Sequence, residues 1–70
     1  MERQGVQSSN IASVGYDGET NTMEVQFRSG AIYQYAGVPE ATYVEMLGSE
    51  SVGKFFHRAI RDKFDVTRVG

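Results

Sequence analysis

Met23-Glu-Val-Gln-Phe-Arg-Ser-Gly-Ala-Ile-Tyr-Gln-Tyr35 alternates apolar and polar residues, breaks at Ser29-Gly30, and then begins to alternate again. Period two on both sides of a turn pair predicts a β-hairpin. A two-residue loop at Ser29-Gly30 sets Arg28 against Ala31, Phe27 against Ile32, Gln26 against Tyr33 and Glu24 against Tyr35. Directly opposed residues share a face. This register therefore expects Met23, Val25, Phe27 and Ile32 on the buried side. It expects Tyr33 and Tyr35 on the polar side, with Glu24, Gln26 and Arg28. A one-residue slip would exchange the two faces of the second strand.

Upstream, Ile11-Ala-Ser-Val-Gly-Tyr16 reads as a first strand, joined to the hairpin by the turn formers Asp17-Gly-Glu-Thr-Asn21. A five-residue loop points Ile11, Ser13 and Gly15 inward, whereas the better apolar set is Ala12, Val14 and Tyr16. A β-bulge or a longer loop would resolve this conflict, with Gly15 as the site for a bulge. Met1–Gln7 shows no periodicity and is expected to be a loose terminus.

Downstream the period becomes helical. Pro39 and Glu40 suit a first helical turn, Tyr43, Val44, Met46 and Leu47 give an apolar side, and Gly48 is a stop. Ser49 or Ser51 can cap a second helix running to about Phe64, with Val52, Phe55 or Phe56, Ala59, Ile60 and Phe64 as its buried stripe. Lys54, Arg58 and Arg61 fall at i, i+4 and i+7 and form one exposed basic edge. Residues 65–70 are expected to be a tail. The order β-β-β-α-α predicts an α+β domain: a small three-stranded antiparallel sheet with two helices packed on one face.

The bulk composition narrows the function. Seventy residues make one small domain, which buries roughly 60% of its unfolded surface. There is no cysteine and only one histidine, so neither disulfides nor a thiolate or histidine metal cluster is expected. The start is polar rather than leader-like, and no stretch approaches the roughly 18 to 20 apolar residues of a membrane span. A cytoplasmic protein without a membrane partner is the expectation. The net charge is −2, but it is unevenly placed. Residues 1–50 hold seven acids against two bases, and residues 51–70 hold five bases against two acids. That asymmetry can steer an anionic partner to the C-terminal third.

Taken together, the ordered motifs Ser9-x-Ile11, Gly15-Tyr16-Asp17, Met23-x-Val25-x-Phe27-x-x-Gly30-x-x-Tyr33-x-Tyr35-x-x-Val38-Pro39, Ser51-x-Gly53-x-Phe55-Phe56 and Ile60-Arg61-x-x-Phe64 resemble the KTSC family. This is a short domain found alone and at the C-terminus of some lysyl-tRNA synthetases. Phe55 and Phe64 stand where tyrosine is common in the family, and His57 where asparagine is common. The resemblance covers roughly Ser8 to Phe64 and implies no established reaction; RNA binding has been suggested for the family.

Tyr33 and Tyr35 are the leading candidates for a site, since tyrosines on a sheet can stack nucleobases. Arg28, Lys54, Arg58 and Arg61 are candidates for phosphate contacts. Against these stand plainer roles: tyrosine's β-propensity and a solvated helix face. Ser49-Glu-Ser-Val-Gly-Lys54 lacks P-loop spacing and reads as a cap. The carboxylates are scattered, and Ser51 with His57 has no third group in view, so catalysis is not expected and no cofactor is implied. The leading expectation is a non-catalytic RNA-binding module. A protein–protein interaction module and a site for a small anionic ligand such as a nucleotide, set between sheet and second helix, are the alternatives.

Overall fold

A computed structural model describes all residues, 1–70. One five-stranded antiparallel sheet runs in sequence order, β1 (Arg3–Gly5), β2 (Ile11–Asp17), β3 (Thr22–Phe27), β4 (Ile32–Ala36) and β5 (Asp65–Arg68). Helices α1 (Glu40–Leu47) and α2 (Val52–Ala59) stand between β4 and β5 in the chain. The α+β class and the two helices are as expected. The sheet has five strands rather than three, because both presumed loose ends are edge strands. Arg3-Gln-Gly5 pairs with Ser13–Gly15, and Asp65–Arg68 pairs with Tyr33–Ala36. Main-chain bonds, not an apolar pattern, hold these ends, which is why periodicity is silent about them.

The central hairpin is displaced by one residue from the expected register. Val25 faces Tyr33 and Met23 faces Tyr35. The loop is Arg28-Ser-Gly30, closed by the Phe27 N–H bond to the Ala31 carbonyl (2.9 Å) and the Gly30 N–H bond to the Phe27 carbonyl (2.9 Å). Gly30 takes φ +98°, which makes this a three-residue turn with a glycine bulge. The extra residue moves Tyr33 and Tyr35 to the face of Met23 and Val25, and Ile32 and Gln34 to the face of Glu24 and Gln26.

The first strand does contain a bulge, but at Ala12, where the register shifts between Ile11 and Ser13. Ile11 then pairs with Phe27, Val14 with Val25 and Tyr16 with Met23, so the whole apolar set faces inward. Gly15 has a different duty. A Cβ there would sit 2.4 Å from the Glu2 carbonyl oxygen, so only glycine lets β1 lie against β2.

The inner face is covered by the helices. Ile11, Val14, Met23, Val25, Tyr35, Val38, Met46, Val52, Phe55, Phe56 and Ile60 form one core. From α1, Met46 is fully buried and Tyr43 stacks on Tyr16 (centroids 5.2 Å apart), while Val44, expected inside, is exposed. The Tyr16 hydroxyl donates to the Val38 carbonyl at 2.5 Å and so ties β2 to the entry of α1. Ser51, not Ser49, caps α2 by accepting from the Lys54 N–H at 3.2 Å. The helix ends at Ala59 rather than near Phe64: the chain turns through Asp62 (φ +63°) so that β5 can join the sheet.

On the outer face the polar groups bond one another. Glu24 is only 6% exposed although no helix covers it. It is paired with the Arg3 guanidinium and accepts from Gln34 Nε2 at 2.9 Å. Arg3 Nε also donates to Ser13 Oγ (3.1 Å), which donates to Gln26 Oε1 (3.0 Å). Burial alone would raise the Glu24 pKa, but the bonds from Gln34 and Arg3, with the positive charges of Arg3 and the amino terminus, bring it below its ordinary value.

A candidate groove between sheet and helix

The β3–β4 hairpin and α2 diverge at one end and leave an open groove of about 540 Å³. Phe27, Tyr33 and Tyr35 of the sheet line one side, and Phe56 and His57 of α2 with Arg61 just beyond its end line the other; Asn10, Ser29 and Gly53 also border it. The aromatic rings meet edge to face: Phe27 with Tyr33 (5.7 Å), Phe27 with Phe56 (5.6 Å) and Tyr35 with Phe56 (5.4 Å). Such contacts hold the rings in fixed directions. A second groove of about 390 Å³ adjoins it and is lined only by polar, charged and glycine residues: Ser8, Ser9, Asn10, Ser51, Gly53, Lys54, His57 and Arg58. Asn10, Gly53 and His57 border both grooves.

Of the six candidate residues, five border this surface. Tyr33, Tyr35 and Arg61 line the first groove, and Lys54 and Arg58 the second. Arg28 does not join them. Its Nε donates to the Ser8 carbonyl at 2.7 Å, so it secures the 8–10 loop to the hairpin tip. The two tyrosines are not on an open sheet face, as the two-residue turn had implied. Tyr33 is half-buried, with the Arg68 guanidinium 5.9 Å from its ring centroid. Tyr35 is 6% exposed, and its ring cannot offer a face to a base. Tyr35 is nevertheless among the residues that line the groove.

His57, the chain's one histidine, borders both grooves, with Arg61 Nη1 3.2 Å from its Nδ1. Arg58 lies over the Phe55 ring at 5.2 Å. Phe27, Phe56 and Asn10 also belong to the site. Their polarity pattern marks core and loop, and only the tertiary meeting of hairpin and helix makes them a wall. Neither groove has a carboxylate in its lining, although the chain carries nine acids and is net negative. Local charge is therefore opposite in sign to the total, a feature that focuses anions. No group of three or more histidine, cysteine or acidic side chains is arranged to hold a metal, and no helix is long and apolar enough to cross a membrane.

Comparison with known proteins agrees with this architecture. The model of the KTSC domain matches residues 7–64. An uncharacterised protein of Stutzerimonas stutzeri (strain A1501) is 39% identical over 61 residues, covering 87% of this chain and 86% of the relative. A lysine–tRNA ligase of Trichormus variabilis is 34% identical over 58 residues, 83% of this chain but 10% of the ligase. The crystal structure of a KTSC domain protein from Yersinia pestis superimposes with a TM-score of 0.95 at 42% identity, over 99% of this chain and 97% of that one. The chain belongs to the KTSC domain family.

Proposed function

We propose that this domain is a non-catalytic module that binds single-stranded RNA along the adjoining grooves. The observation that carries the reading is charge segregation. Lys54, Arg58 and Arg61 line two adjoining grooves free of carboxylates on an acidic chain, and one of the two has an aromatic wall. Cations that track a backbone beside aromatic side chains are the usual composition of single-strand sites. The mode is a groove, not an open sheet. Tyr33 offers the accessible ring, and the polar compartment beside Gly53 takes phosphate. The tRNA ligases that carry a similar segment as about a tenth of their length act on an RNA, which supports the same reading. A cytoplasmic place of action goes with it.

Fluorescence anisotropy with a labelled ten-nucleotide RNA of random sequence tests this. Three phosphate contacts on a single strand predict a slope of log Kobs against log salt of roughly −2. The Lys54→Ala and Arg58→Ala variants should each make the slope shallower by about 0.7. No retention at low ionic strength would refute the reading. A single groove of about 540 Å³ is also large enough for a small ligand. A free nucleotide that binds as tightly as the strand would make the ligand a nucleotide rather than RNA.

A further inference from the structure

Tyr35 is placed as a core residue. It sits in the middle of β4 with Met23 on one side and Val66 on the other, is 6% exposed, and packs edge to face on Phe56. A tyrosine this deeply buried normally spends its hydroxyl on a protein partner. Tyr16 of the same sheet does so, donating to Val38. The Tyr35 hydroxyl makes no hydrogen bond within the protein, and it is not among the sealed polar atoms, since every fully buried side-chain nitrogen or oxygen is satisfied. Tyr35 nevertheless lines the groove, together with Tyr33 and Arg61. Burial raises the Tyr35 phenol above the ordinary tyrosine range; Tyr33 adds to the effect, Arg61 opposes it, and Asp62 adds to it, so the group keeps its proton at neutral pH.

For the fold alone, phenylalanine would serve at least as well. The ring contacts would remain, and no hydrogen bond would be lost. A donor fixed on a strand paired on both sides, in an otherwise apolar wall, is suited to reading a ligand. We infer that the Tyr35 hydroxyl is the base-reading donor of this site, giving its proton to an acceptor oxygen or nitrogen on the edge of a nucleobase seated in the aromatic compartment. The base's own phosphate then reaches past Gly53 and His57 to Lys54 and Arg58. This rests on the RNA reading above and adds to it a specificity determinant: the site favours some bases over others, and Tyr35 is the cause.

The test is Tyr35→Phe, compared with the wild type in thermal melting and in binding to labelled ten-nucleotide homopolymers of U, A, C and G. The assignment expects an unchanged or higher Tm. It expects a three- to tenfold loss of affinity for the preferred homopolymer, and a narrowed spread among the four. A lowered Tm would overturn it, because the hydroxyl would then serve the fold. Unchanged affinity and spread, with the wild type binding RNA, would overturn the assignment and leave the RNA reading standing. A wild type that retains none of the four homopolymers would remove the RNA reading and this assignment with it.

Discussion

The two faces of the sheet treat their polar groups in opposite ways. On the outer face, Arg3, Ser13, Glu24, Gln26 and Gln34 bond to one another, and even a carboxylate that is 6% exposed is fully engaged. On the inner side, at the open end, Tyr35 has no partner, and Lys54, Arg58 and Arg61 have no carboxylate within salt-bridge distance. Polar groups that satisfy one another contribute to stability, because each would cost desolvation energy if orphaned. Polar groups outside such a network contribute less to stability and keep bonding capacity for a ligand. Outer-face substitutions should therefore move stability, and groove substitutions should move binding.

The largest effect is expected where the outer face meets its N-terminal strand. Gly15→Val places side-chain carbons against the Glu2 carbonyl, and displacement of β1 should cost about 3 kcal/mol in urea unfolding. Next comes Glu24→Ala, which leaves Arg3 and Gln34 without their acceptor. About 2 kcal/mol is expected, discounted from a fully buried pair because Arg3 is 26% exposed. The same carboxylate sets a pH dependence. Its folded pKa is lowered, so its contribution is fully present above the ordinary carboxylate pKa and is lost as pH falls through the lowered folded value. Glu24→Gln should lack that part of the acid loss in urea midpoints taken between pH 7 and pH 3.

Smaller effects on stability are expected at the groove. Arg58→Ala removes a cation resting on Phe55 and should cost about 0.5 kcal/mol while making the salt slope of RNA binding shallower. Tyr35→Phe should leave the neutral-pH midpoint unchanged. The folded pKa of Tyr35 is raised, so its share of stability is fully present below the ordinary tyrosine pKa and is lost as pH rises through the folded value. In the phenylalanine variant that share of the alkaline loss disappears.

How much of this was legible from residues alone differs from place to place. Met23, Val25 and Phe27 against Glu24 and Gln26 show the two faces of β3 plainly, and the structure keeps that division. The partner strand turned on one residue. Ser29-Gly30 as a two-residue loop and Arg28-Ser-Gly30 as a three-residue loop are both good hairpins, and they put Tyr33 and Tyr35 on opposite faces. The choice is made by where the pair buries best: Tyr35 under Phe56 outweighs Ile32 in that place. β1 and β5 left no signal, because edge strands of three and four mixed residues are held by main-chain bonds. In the site, the tyrosine pair and the Lys54–Arg58–Arg61 edge were visible as residues. The joint position of Asn10, Gly53 and His57 was not, because it comes from the 8–10 loop approaching α2. A Cβ on Gly53 would lie 3.0 Å from Ser8 Oγ, which fixes that approach.

Whether RNA lies in the grooves is measured most directly by a ¹H–¹⁵N NMR titration of the intact chain with an unlabelled ten-nucleotide single-stranded RNA at low salt. Shifts are expected to concentrate at Asn10, Tyr35, Gly53, Phe56, His57 and Arg61 and to extend to Lys54 and Arg58, with Ser13, Glu24 and Gln34 unmoved. Shifts centred on the outer face, or none at saturating RNA, would contradict the proposed site.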